Sequence, residues 1–253
     1  MDKKIIIAMG GIFVGAFILG VVFAKQEIEI PTPQDIAVKG VMMEVVALHD
    51  DVNKAYRIDV EYPQFAGAMD GINRQIASYV NEGMDDFKAI IEENAKARKA
   101  TMLIGQEVPE YEVSPFTFVV TWEPKQINER YLSIILRVDA YEGGANARRE
   151  LRTFNYDVVR EKEIVLDDLF PGDVGYLGKV SRYAHDRLVE TLGEINGNEV
   201  DENMVTQGTA PTRDNFRNFV FDESVIDLYF PKYQVAPGVA GEQHVVIPRQ
   251  GVW

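Results

Sequence analysis

The sequence predicts an α+β protein in which an N-terminal transmembrane helix is followed by an antiparallel sheet with packed helices. Three observations carry that reading. Residues 5–24, IIIAMGGIFVGAFILGVVFA, form an uncharged run of about twenty residues, long enough as a helix to cross a bilayer core. Further on, several segments of about ten residues are rich in β-branched and aromatic side chains, as strands are. Between them, two segments repeat apolar residues at three- and four-residue steps, the period of an amphipathic helix.

Taken in order, residues 1–4 are a stub, MDKK, whose Lys3 and Lys4 place it on the cytoplasmic side by the positive-inside tendency. Everything after Lys25 is then expected outside the membrane. A cleaved signal peptide ending at Ala24 is the competing reading. The apolar run exceeds the usual signal core of roughly 7–15 residues, and Gly10, Gly11, Gly15 and Gly20 suit a span; Gly11 and Gly15 form a GxxxG contact motif. Residues 25–39 hold Pro31 and Pro33 and read as a short, semi-rigid stalk. VKGVMMEVVAL and AYRIDVEYP read as two paired strands, the second alternating Tyr56, Ile58 and Val60 against Arg57, Asp59 and Glu61. Over residues 66–100, Met69, Ile72, Ile76, Tyr79, Val80, Phe87 and Ile90 predict one long helix, with Gly83 a point of bending.

SPFTFVVTWEP, RYLSIILRVDAYEGG and RRELRTFNYDVVR then read as an antiparallel meander whose middle strand, with its nearly continuous apolar core SIILRV, is central. LDDLFPGD introduces a second helix, with Asp173 as candidate N-cap and Leu177, Val180, Ala184, Leu188 and Leu192 as its apolar face. A short helix or irregular segment through GNEVDENMVTQG leads to three more strand candidates, DNFRNFVFDES, VIDLYFPKY and HVVIP.

Composition excludes several functions. The net charge is −14; Asp2, Lys3 and Lys4 contribute +1, so the part beyond the anchor carries −15, which repels nucleic acid and steers basic proteins toward it. With no cysteine, thiol chemistry, disulfides and lipid attachment at an N-terminal Cys are excluded. His49, His185 and His244 do not lie at zinc-ligand spacing, and there is no GxSxG, Walker or GxGxxG motif, so no cofactor is expected. Two candidate carboxylate pairs exist, Asp139 with Glu142 and Asp167 with Asp168, of the kind a glycan-cleaving enzyme would use, but acidic residues are too numerous for the signal to be specific, and surface charge or turn capping is the favoured explanation.

Two loops are candidate binding surfaces. In YEGGANARRELRTFNYD, residues 141–157, Gly143 and Gly144 allow a tight reversal and a close approach to the main chain, and Arg148, Arg149 and Arg152 form a basic cluster. In YFPKYQVAPGVAGEQHVVIP, residues 229–248, Pro231, Pro237, Gly238 and Gly241 force a turning path, and Tyr229, Phe230 and Tyr233 are available for stacking or for the core. The candidate binding residues are Tyr141, Glu142, Gly143, Gly144 and Asn146 on the first loop, and Tyr233, Gln234, Pro237 and Gly238 on the second.

The order IDVEYPQFAG, INRQI, YEGGA, VLDDLF and DLYFPKYQVAPGVAGEQHVVIP resembles the paired extracytoplasmic domains of RsiV-type anti-sigma factors, which bind lysozyme, and of PdaC-type peptidoglycan deacetylases. The resemblance spans residues 40–248. It implies a smaller N-terminal unit over 40–110 and a larger, RsiV-like C-terminal unit over 111–253. Family members commonly carry His after GGA, where this chain has Asn146. The expectation is the outer module without the anti-sigma or deacetylase part.

The function expected is therefore a membrane-anchored, non-catalytic binding or sensing module for a cell-wall component or a basic protein such as lysozyme. The alternatives are a wall-glycan enzyme using Asp139, Glu142, Asp167 or Asp168, and a structural envelope protein that associates through Gly11 and Gly15.

Overall fold

The computed structural model describes residues 6–7, 36–38, 41–50, 56–67, 69–101, 116–143, 146–195 and 200–249. In chain order the elements are β1 (Ile6–Ile7), β2 (Ile36–Val38), β3 (Val41–Asp50), β4 (Tyr56–Phe65), α1 (Asp70–Thr101), β5 (Phe116–Ile127), β6 (Tyr131–Tyr141), β7 (Arg148–Asp157), β8 (Lys162–Glu163), α2 (Tyr176–Ile195), α3 (Glu202–Gly208), β9 (Phe219–Phe221), β10 (Val225–Phe230) and β11 (Gln243–Pro248). Short 3-10 turns at Leu166–Leu169, Asp214–Phe216 and Gly238–Ala240 shape the connections.

Among the described residues the large sheet has the order β1-β3-β4-β5-β6-β7-β8, with β2 also paired to β3. The paired strands β3 and β4 and the meander β5-β6-β7, with β6 central, are as the sequence predicts. Leu132–Leu136 of β6 are buried without a break, so the strand is covered on both faces. The expectation of an antiparallel sheet needs correcting. Strands β4 and β5 pair in parallel, from Tyr56 opposite Phe116 to Val60 opposite Val120. The reason is the connection: a chain that leaves the end of β4 through a 32-residue helix is carried back along the sheet and re-enters beside the start of β4, at the opposite end from the one it left. The class is α+β with a mixed sheet.

Helix α1 covers one face of this sheet with Ile72, Ile76, Val80, Phe87 and Ile91, joined by Met69 just ahead of it. The periodicity extends from Phe87 to Ile91 rather than Ile90, one four-residue step further on the same stripe. Gly83 has a packing role: a Cβ there would stand 3.4 Å from Cζ of Phe118, so the missing side chain lets the β5 aromatic come up against the helix. The start of α1 is tied to the end of β4 by Asn73, whose Oδ1 accepts from Phe65 N (2.9 Å) and whose Nδ2 donates to Phe65 O (2.7 Å).

A second core lies under α2. Its stripe of Val180, Ala184, Leu188 and Leu192 meets a small antiparallel sheet of order β11-β10-β9, with Phe216, Phe221, Phe230 and Ile247. Asp173 accepts from Gly175 N (3.0 Å), so it shapes the turn before α2.

Strand β9 joins the two sheets. On one side it pairs with β10; on the other its backbone is satisfied by side chains of the large sheet. Thr153 Oγ1 accepts from Phe219 N (3.1 Å), Asn155 Nδ2 donates to Phe219 O (2.8 Å), and Ser133 Oγ accepts from Phe221 N (2.9 Å) while donating to Asn155 Oδ1 (2.6 Å).

Of the expected membrane span only Ile6–Ile7 falls within the described residues. They pair as a short strand with Val46 and Ala47 rather than beginning a helix, because β-branched residues beside the open edge of β3 complete its hydrogen bonds. No described helix is long and apolar enough to cross a membrane. The stalk lies outside the described residues except for β2.

Candidate functional site

The two loops singled out in the sequence flank one groove of about 510 Å³. Its floor is the face of the large sheet that α1 leaves open, with Arg137 and Asp139 on β6 and Arg149 and Leu151 opposite them on β7. Asn146 and Ala147 form one end, and Pro231, Lys232, Gly238, Val239, Gly241 and Glu242 form the far wall.

The candidate residues divide sharply. Asn146 and Gly238 line the groove. Tyr141 ends β6 beside the Phe116 ring (6.4 Å between centroids). Glu142 is taken by Arg148, whose Nη2 donates to its Oε1 at 2.6 Å; that bond raises the guanidinium's pKa above its ordinary value. Gly143 has φ +100°, as a tight reversal requires, and a Cβ there would press on Phe116 at 3.3 Å; Gly144 lies outside the described residues. Gln234 serves the fold, since its amide donates to the carbonyls of Gly208 and Asn215 (2.9 Å each). Pro237 is exposed and leads into the 3-10 turn that presents Gly238.

Tyr233 is the unusual member. Gln234 N donates to Pro231 O (3.0 Å), closing a four-residue turn whose third residue, Tyr233, has φ +74°. That region favours glycine, and a bulky residue there costs about 1–3 kcal/mol. The ring lies over Gly238, where a Cβ would come within 2.2 Å of it, yet the residue remains 64% exposed.

Salt links organise the rest of the groove. Arg149 Nε pairs with Asp139 (2.8 Å), Arg137 Nη1 with Glu242 (2.8 Å) and Arg148 Nη1 with Glu150 (2.7 Å). Arg137 also lies over the Tyr229 ring (5.6 Å), whose hydroxyl pKa is pushed up to about 12 by burial and by Asp227. Sequence reasoning missed Arg137, because an arginine inside a strand reads as an outward-facing alternation. Its signal was the break it makes in an otherwise apolar run.

The second carboxylate pair is separate from the groove. Asp167 accepts from Arg213 (Nε, 3.1 Å) and from the Tyr176 hydroxyl; Arg213 and Tyr176 hold its pKa below the ordinary range. Asp168 accepts from Lys162 (2.9 Å) and from Val165 N (3.0 Å), which together outweigh its burial and lower its pKa. The pair caps a turn.

A partly buried ion cluster centred on the buried Asp227 crosses between the sheets. Pro124 and Gln126 pair with the adjacent residues Ile134 and Ser133, so Lys125 is the extra residue of a β-bulge, which aims it at the small sheet. Its ammonium lies 2.6 Å from Asp227 and 3.2 Å from Asp222, and His244 Nε2 is 3.2 Å from Asp227. Burial alone would raise the pKa of Asp227, but His244 and Lys125 hold it below 3.8. A carboxylate depressed in the fold stabilises it above its unfolded pKa, and that contribution is lost as pH falls through the folded value. Thermal melts of wild type and Lys125→Met should therefore differ most near pH ~6, and the gap should narrow below about pH 4. A gap independent of pH would assign Lys125 a packing role alone.

Fold and site define a two-sheet α+β module with a polar surface groove and no buried catalytic cleft among the described residues. Two family profiles match the chain in succession. The family profile described as "Deacetylase PdaC" matches residues 50–148, and the one described as "Protein of unknown function (DUF3298)" matches residues 167–250. The peptidoglycan-N-acetylmuramic acid deacetylase PdaC of Bacillus subtilis is 29% identical over 209 residues. The match covers 82% of this chain and 40% of that protein, so the chain spans about two fifths of its relative's length. Crystal structures of DUF3298 proteins share the fold. One from Bacteroides fragilis has TM-score 0.54 and 16% identity over 83% of this chain and 91% of that one. One from Pseudomonas aeruginosa has TM-score 0.50 and 14% identity over 82% and 90%.

Proposed function

We propose that the chain is a non-catalytic cell-envelope module that holds wall glycan in the groove between β6–β7 and the 231–242 loop. Residues 5–24 anchor it and the folded body lies outside the membrane. Insertion of that run as a helix requires the pairing of Ile6–Ile7 with β3 to open.

The observation that carries the reading is the charge balance of the groove. In a chain of net charge −14, its lining sets Arg137, Arg149 and Lys232 against Asp139, Glu150 and Glu242. A trough rich in donors and acceptors, with its charges largely neutralised in pairs, suits a polyhydroxylated, amide-bearing chain better than an ion. The relative that acts on peptidoglycan supports the wall as its source. Binding without catalysis is supported by the carboxylates, since Asp139, Glu142, Asp167 and Asp168 each have a basic partner. A second reading, capture of a basic wall-attacking protein such as lysozyme, is favoured by the acidity of the chain.

The test is co-sedimentation of the full chain in detergent micelles with insoluble peptidoglycan, with immobilised lysozyme in parallel and a salt titration on both. Sedimentation that changes little with salt is the expected result. Salt-sensitive capture by lysozyme without sedimentation favours the second reading, and failure of both overturns the two together. Asn146→Trp, which fills one end of the groove from an exposed position, should reduce sedimentation about tenfold while leaving the melting temperature unchanged.

A further inference from the structure

We infer that the outer edge of β7 is a docking site for an extended acidic segment of another protein, which adds to the large sheet as a further strand. The inference is independent of the glycan reading of the groove and rests on the edge itself. Strand β7 pairs with β6 from Arg148 to Asp157, but on its other side it meets β8 only at Tyr156 and Asp157. The bonds at that end fix which way the rest of the strand points. Val158 N donates to Arg130 O (2.8 Å) on the β6 side, and Asn155 O accepts from Ile164 N (2.9 Å) on the β8 side. Even-numbered residues therefore turn their main-chain groups toward β6, and Arg149, Leu151 and Thr153 turn theirs outward. Among the described residues no strand or backbone group takes up those outward N–H and C=O groups.

Other edges carry protection that this one lacks. Strand β2 lies along Val41–Met43 of β3. Strand β11 ends in Pro248, which has no N–H, and its Val246 O accepts from the Tyr183 hydroxyl (3.3 Å). Over Arg148–Phe154, β7 has no proline and no bulge, so its free groups form a regular ladder half.

Charge specifies the partner. The edge runs Arg148, Arg149, Glu150, Leu151, Arg152, a basic cluster in a chain of net charge −14. Arg148 is held by Glu142 and Glu150, and Arg149 by Asp139. Arg152 has no carboxylate within ion-pair distance among the described residues; its guanidinium lies over the rings of Tyr79 (5.4 Å) and Phe154 (5.5 Å), on the α1 side of the sheet. Arg149, of opposite parity, is exposed on the groove side. A cation thus flanks the free main-chain groups on each face. Edge charges of one sign turn away most extended chains and admit those that carry the other sign. Main-chain pairing supplies the affinity, and Arg149 and Arg152 supply the selection.

The experiment is isothermal titration of the full chain in detergent micelles with a blocked heptapeptide of alternating glutamate and valine. Two controls accompany it: the same peptide with lysine for glutamate, and the glutamate peptide N-methylated along its backbone so that it cannot donate. The glutamate peptide should bind saturably, and each control at least about tenfold more weakly. Arg149→Pro deletes an outward N–H and leaves the bonds to β6 intact, as an edge strand tolerates. It should weaken binding about tenfold or more with little change in melting temperature. Arg152→Glu, at an exposed position, should remove the preference for glutamate over lysine. Binding that survives N-methylation, or that Arg149→Pro leaves untouched, is charge attraction without strand addition and overturns the inference, as does absence of binding. Sedimentation velocity in the same micelles tests the other occupant. A wild-type dimer that Arg149→Pro dissociates, with no peptide bound, puts a second copy on the edge and overturns the acidic partner.

Discussion

Phe118→Ala should destabilise the protein by about 3–5 kcal/mol, measured as the shift in urea unfolding at constant m-value. Phe118 sits on β5 and is fully buried where α1 crosses the sheet. Its ring lies 5.5 Å from Phe87, which in turn takes the edge of Tyr56 at 6.0 Å, and it comes within contact distance of the Gly83 backbone. Removing it opens a cavity between a helix and a sheet already in close contact. Neither the 32-residue α1 nor the eight-stranded sheet can move inward without disturbing the rest of its packing. The expected loss is a large part of a typical folding stability of about 5–15 kcal/mol. A loss below about 1.5 kcal/mol would mean that α1 settles onto the sheet and that the Gly83 contact is not a constraint.

Asn155→Ala should cost about 2–4 kcal/mol, although it removes few atoms and almost no apolar area. The substitution leaves Phe219 O without its donor and the Ser133 hydroxyl without its acceptor, both in the buried seam between the sheets, where Ser133 is fully buried. A buried group stripped of its partner loses its hydration with no compensation, and that asymmetry is what makes the substitution costly. Adding Ser133→Ala to Asn155→Ala should cost less than the two single effects combined, with a coupling of about 0.5–3 kcal/mol in a double-mutant cycle. Additivity would show that the two side chains do not act as one network.

The local elements were legible in the sequence because their signals are local. The stripe Ile72, Ile76, Val80 and Phe87 fixes α1, and the stripe Val180, Ala184, Leu188 and Leu192 fixes α2, whatever they rest against. Pairing across α1 was not legible, since the alternation in β4 and β5 is the same for a parallel or an antiparallel neighbour. The seam was hidden for a related reason. Ser133 and Asn155 interrupt apolar runs, and only the arrival of β9 makes them partners. For the groove, sequence reasoning found both loops but ranked the residues within them unevenly. Asn146, Tyr233 and Gly238 stand at the groove or against its wall. Glu142 and Gln234 were drawn into structural hydrogen bonds whose partners, Arg148, Gly208 and Asn215, no local pattern could designate.

The parallel joint between β4 and β5 also bears on the order in which the chain folds. Its paired residues are about sixty positions apart, whereas β5 and β6 turn on each other across Asn128–Arg130, so the entropy of closing the loop falls almost wholly on the first joint. The meander β5-β6-β7 is therefore favoured as the early template, with β3-β4 and α1 docking onto it afterwards. During synthesis the N-terminal strands emerge first, yet they must wait for β5 before their sheet can close. Until then the edge of β4 is a free acceptor for any other extended chain, and this interval is when the protein is most exposed to misassembly.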